Sequence, residues 1–135
     1  MTPPDSGELR LEKLLAEMCP MLNEGRYAFV TLPSDSAIPR ETVAMVQEAE
    51  GMSLIVPAAT ADKLGLAYSG AYSWITLQVH SSLAAVGLTA AVANALTAHE
   101  ISCNVVAGTY HDHLFVACSK ETRAMTVLTN MTQGT

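Results

Sequence analysis

Positive charge is scarce in this sequence. Seven Lys and Arg stand against thirteen Asp and Glu, a formal net charge of −6. The basic residues are scattered from Arg10 to Arg123 with no run among them, so no patch is available to neutralise phosphates and nucleic acid is not an expected partner. Long apolar runs are missing too: no stretch reaches the roughly 18 unbroken apolar residues that cross a bilayer. The first eight residues are acidic and Pro-containing, with no basic segment ahead of an apolar one, so a secretion signal and a membrane location are not expected. Cysteine is limited to Cys19, Cys103 and Cys118, an odd count without C-x-x-C spacing, which suits reduced thiols and a cytoplasmic setting. Catalytic signatures are absent as well. There is no H-E-x-x-H, no Gly-rich phosphate loop, no Ser, His and acid set and no suggestively spaced carboxylate pair, so a non-catalytic protein without a cofactor is the expectation.

What the chain does have is apolar material, 50% of its residues against 15% charged, distributed along its length. A 135-residue chain of this kind folds as one compact domain, or as two half-size units sharing a core, and buries roughly two-thirds of its unfolded surface.

Residues 1–7 are turn-rich and are expected to fray. Leu11, Leu14, Leu15 and Met18 then repeat at helical spacing until Pro20, which predicts a helix over about 8–18. Residues 27–32 are β-branched and aromatic between turn signals, the pattern of a buried strand. Residues 41–50 fit strand alternation and helix composition equally. Gly51 leads into an apolar run, 52–56, the second arm of a hairpin, and 58–64 form a short helix ended by Gly65. The second half is clearer. Residues 74–80 alternate, with Ile75, Leu77 and Val79 on one face, and Ser81 and Ser82 are placed to cap a long helix running to about His99. Residues 101–107 and 113–118 flank a hairpin turn, and Ser119 is placed to cap a last helix with Ala124, Leu128 and Met131 on one stripe.

A faint internal repeat accompanies this order. Residues 29–34 line up with 76–81 and residues 54–56 with 115–117, and the second offset is longer than the first by about one helix. The first copy therefore lacks its crossover helix, and the helix at 8–18 is expected to fill that vacancy on the same sheet face.

Several residues invite chemical readings. The amino end of the helix after Ser81 and Ser82 would offer unpaired N–H groups to a small anion, while the plainer alternative is that the serines only cap the helix and Gly87 only permits close packing. His111, Asp112 and His113, with His80, have the ligand types of a zinc site but too few converging groups, and Asp in a hairpin turn needs no metal to explain it, so no metal site is assigned. A turn about positions 110 and 111 would set Cys103 opposite Cys118, as a redox pair or as two small core residues.

The run of residues 79–88, together with 101–108 and 110–116, resembles the small bacterial ACT-domain proteins of unassigned function, closely over about 74–118 and loosely over 8–66. The resemblance implies an α+β fold of two ferredoxin-like ACT-type halves, antiparallel sheets with helices on one face, with an abbreviated half at 1–66, a connector at 67–73 and an ACT domain at 74–135. It resolves 41–50 as a strand. It further implies amino acid binding where the first strand meets its helix, at an interface with a neighbouring ACT unit. Carried onto this sequence, those positions are Ser81, Ser82, Val86, Gly87, Leu88, Asn104 and Val105. Ala84 stands where many ACT domains have an acidic residue, so Asn104 and backbone carbonyls would have to receive a ligand's ammonium group.

The expected function is thus a regulatory module for an amino acid or similar metabolite, assembled as a homodimer because exposed strand edges need covering. The alternatives are a ligand-independent interaction or accessory protein, for instance in transport, and a metal-dependent enzyme using His80, His111, Asp112 and His113.

Overall fold

The computed structural model describes Gly7 and residues 10–133, and the expectation for residues 1–6 lies outside them. Seven strands form one sheet: β1 (Pro20–Leu22), β2 (Tyr27–Leu32), β3 (Ala44–Glu48), β4 (Gly51–Pro57), β5 (Tyr72–Leu77), β6 (Asn104–Ala107) and β7 (Asp112–Ala117). The helices are α1 (Leu11–Ala16), α2 (Ala58–Lys63), α3 (Leu88–Ala98) and α4 (Glu121–Thr132), the last preceded by a 3-10 turn over Cys118–Lys120.

The strand order is β3-β4-β2-β5-β7-β6, with β1 also paired to β5, and every pairing is antiparallel. The first half runs β2-β3-β4-α2 with only turns between β2 and β3, so the missing crossover helix is a fact of the structure. The second half runs β5-α3-β6-β7-α4. Residues 41–50 hold a strand, as the resemblance implied.

Strand alternation separates two cores. On the helix side, Ala28, Val30, Met52, Leu54 and Val56 pack under Ala61 of α2. Beside them Ile75, Leu77, Leu114 and Val116 pack under Leu88, Val92 and Leu96 of α3 and Ala124, Val127 and Leu128 of α4. On the other side lie Tyr27, Ile55 and Phe115 with Tyr72, Trp74 and Val106.

Four expectations need correction. The first helix does not fill the vacancy in the first half: Leu14 and Met18 are fully buried in the second-half core, because β1 pairs with β5 and carries α1 there. The first half's sheet is covered instead by α2, with Leu66 and Tyr68. Strand β5 ends at Leu77, since the Gln78 N–H turns to the Met18 carbonyl at 3.0 Å. Ser119 is not a cap; the chain enters α4 through the 3-10 turn with no side-chain cap bond. The last hairpin pairs Val105 with Leu114, so its turn centres one residue earlier than expected and Val116, not Cys118, falls level with Cys103. Both cysteines are free thiols, and burial pushes the Cys103 thiol up to about 11.

Leu14 ties the N-terminal helix to α3 and α4. Leu14→Ala is expected to cost about 2–5 kcal/mol by emptying this slot, read as a lower urea midpoint, whereas a loss under 1 kcal/mol would place α1 outside the core.

Candidate functional site

The corner singled out by sequence is built differently from a capped helix. Helix α3 starts at Leu88, its N-cap is Gly87 at φ 104°, and no side chain caps it. Residues 81–87 form a loop, because Gly87 takes a left-handed conformation that only glycine adopts without strain and so places the helix start six residues beyond the second serine. The loop closes on itself: the Ala84 N–H donates to Ser82 Oγ at 3.1 Å and the Ala85 N–H to the Ser82 carbonyl at 2.9 Å. Ser81 and Ser82 are both buried.

A cavity of about 120 Å³ lies inside this loop, lined by Ser81, Ser82, Gly87 and Leu88 on one side and by Ala107 and Asp112 on the other. Gly7 and Leu11 lie against this loop. A Cβ on Gly7 would collide with the His80 carbonyl oxygen and come within 2.8 Å of the Ser82 nitrogen, and a Cβ on Gly87 would meet Leu11 Cδ2 at 3.1 Å. Of the other residues named from sequence, Val86 is 83% exposed outside the cavity. Val105 packs against the second-half core, and Asn104 sits at the far end of β6, its amide donating to the Phe115 carbonyl at 3.3 Å.

Sequence reasoning missed Asp112 as a member of this corner. It shares strand parity with Leu114 and Val116, so it points to the helix side, beneath the start of α3. Burial raises its carboxyl above the usual range, and the positive charge of His113 and His111 pulls the other way. Among the described residues, none donates a hydrogen bond to this carboxylate. The available signal was the alternation of β7, which the reading of 110–112 as a turn obscured.

The histidines do not gather. The His111 Nδ1 lies 3.4 Å from the Val79 carbonyl, and His80 rests against Tyr110. His113 lies on the aromatic face, where the Trp74 indole N–H donates to its Nδ1 at 3.0 Å. Asn23 Nδ2 donates to Thr76 Oγ1 at 2.9 Å, which leaves the Thr76 hydroxyl hydrogen for the same His113 nitrogen at 3.1 Å. Neutral His113 therefore carries its proton on Nε2. Among the described residues no three His, Cys, Asp or Glu side chains come together as a metal site.

Burial, and then the charge of His111, hold His113 below its ordinary value of 6.5, against the pull of Asp112. The unfolded chain then takes up this proton before the folded one does, so His113 costs stability as pH falls through 6.5 toward its folded value. NMR titration is expected to give an imidazole midpoint below 6.5, and Trp74→Phe, by removing one of the two donors to Nδ1, to move it upward. An unmoved midpoint would show that the indole bond does not set the tautomer.

Two family models, each described as an ACT domain, match residues 6–73 and 70–130. Among solved structures, a Vibrio cholerae protein of unknown function, described as a possible transport protein, shares 44% identity at TM-score 0.80, over 90% of this chain and 95% of its own. An Agrobacterium tumefaciens protein matches at 18% identity and TM-score 0.69, over 84% and 87%. A chain described as a C-terminal regulatory domain of aspartate kinase from Porphyromonas gingivalis matches at 14% and 0.55, over 84% and 95%. At those identities the last two establish the fold alone. Comparison with curated proteins returns no match.

Proposed function

Since the chain belongs to the ACT-domain family, with a match in each half, we propose that it is a non-catalytic regulatory module that binds a small amino acid or similar metabolite at the corner of Ser81, Ser82, Gly87 and Leu88. One observation carries this reading: the Asp112 carboxylate is half-buried in the same cavity as the serine pair, without a donor among the described residues. Partial burial makes that charge costlier than it is in water, and a ligand's ammonium group would relieve the cost. Asp112 thus supplies the acidic group that Ala84 does not. Asn104 and Val105 fall outside this proposed site.

At about 120 Å³ the cavity is smaller than the few hundred Å³ of ordinary ligand sites. A metabolite larger than the smallest amino acids needs a second surface beside it. Leu83 and Val86, exposed by 57% and 83%, supply an apolar rim for one, and the proposed neighbour is a second copy of the chain. A second reading, an accessory protein in transport, is supported by the 44% identical Vibrio cholerae relative, described as a possible transport protein.

A thermal-shift panel of the twenty amino acids tests the site. At least one is expected to raise Tm by mass action. Asp112→Asn is expected to raise the Tm of the ligand-free protein at neutral pH and to abolish the ligand response. Because the folded carboxyl has a raised pKa, that difference in Tm shrinks as pH falls through the folded value toward 3.8. A flat panel with folded protein would reject the binding reading. The neighbour is tested separately by sedimentation at micromolar concentration, where the chain is expected to run as a dimer and Val86→Glu as a monomer.

A further inference from the structure

The aromatic side of the sheet holds a second enclosed space, unrelated to the serine corner. Strands β3 and β6 are the opposite ends of the sheet order, yet Ala44 and Val106 line the same two cavities. The sheet therefore curls toward its helix-free face so that both edge strands border the same cavities. The larger cavity, about 360 Å³, is bounded by the segment from Arg40 to Ala44 and floored by Trp74, His113 and Phe115. An adjoining one, about 260 Å³, continues it past Phe29 and Ile55.

The larger volume falls within the range of small-molecule sites. Its floor is held in place. The Trp74 indole is fixed by its bond to His113 and packs on Phe115 with the planes 20° apart. Its wall is held too, since the Thr42 hydroxyl donates to the Pro39 carbonyl at 2.7 Å and the Val43 N–H to the Ile55 carbonyl at 2.8 Å. At the mouth stands Arg40, which among the described residues has no ion-pair partner. The donor on offer is its guanidinium, which favours a carboxylate over a cation.

We propose that this cavity binds a small aromatic carboxylate, the ring against Trp74 and the carboxylate on Arg40. Glu41 shares the rim, and the sign of charge the site accepts is the point on which the proposal stands or falls.

Trp74 is the sole tryptophan, so its emission reports on this cavity alone. Titration of the full chain with phenylacetate is expected to change that emission saturably, while acetate, lacking the ring, and phenethylamine, carrying the opposite charge, do not. Arg40→Gln is expected to weaken phenylacetate at least tenfold. Ala44→Leu, which fills the junction of the two cavities, is expected to remove the response, with an unchanged urea transition showing that each variant folds. No saturable response, equal binding of phenethylamine, or undiminished affinity in folded Arg40→Gln would overturn the proposal. Asp112→Asn separates the two sites: it is expected to abolish an amino acid response at the serine corner and to leave the phenylacetate response unchanged.

Discussion

Everything in this molecule hangs on the edge of β5. One side of that strand pairs along its length with β7, from Tyr72 with Ala117 to Leu77 with Asp112. The other side is divided: β1 takes Ile75, Thr76 and Leu77, and β2 touches only at Tyr72, through Tyr27. Between them the chain swings outward over Asn23 to Arg26 and leaves to pair with β4. Two halves thus share one sheet through a single residue pair, and ladder hydrogen bonds at the seam are few. Aromatic contacts make up the difference. Tyr27 meets Trp74 edge-on at 5.4 Å and Phe29 meets Tyr72 at 4.9 Å, so the seam is stitched on its helix-free face.

The same division explains why the two faces differ in chemistry. Helices crowd one side, where aliphatic residues fill the layer between sheet and helix, and the small space near Asp112 lies at the start of α3. Among the described residues no helix packs on the other side, where Tyr27 and Phe115 are buried and Phe29 stays 39% exposed. The two cavities bordered by Ala44 and Val106 lie on that face.

Much of this was legible in the sequence, and the failures have a common cause. Period-2 alternation located β5, β-branched and aromatic content located β2, and an apolar run beside Gly51 and a hairpin turn located β4 and β7. Gly65 marked the end of α2, where its N–H reaches Asp62 and that of Leu66 reaches Ala61. What went astray depended on long-range pairing. Nothing local to Leu11, Leu14 and Met18 says that they serve residues 88–128, since that follows from β1 choosing β5. The serine pair carried a good local capping signal that Gly87 overrode by delaying the helix. For the hairpin, a turn centred one residue earlier moved Asp112 into β7, and with it the carboxylate into the proposed site.

The pairing of β1 with β5 also separates order along the chain from order in space. Read in sequence, the second unit begins at β5; in three dimensions it includes the helix and strand at 11–22, which complete its core and flank its first strand. The arrangement amounts to a circular permutation within a tandem pair. A fragment cut between the halves would leave one piece with an orphaned amphipathic helix and the other with an open seat for it. Each piece would then be a ready acceptor for the other, or for its counterpart in a neighbouring molecule, and exchange of that helix would be the natural failure mode of a severed chain.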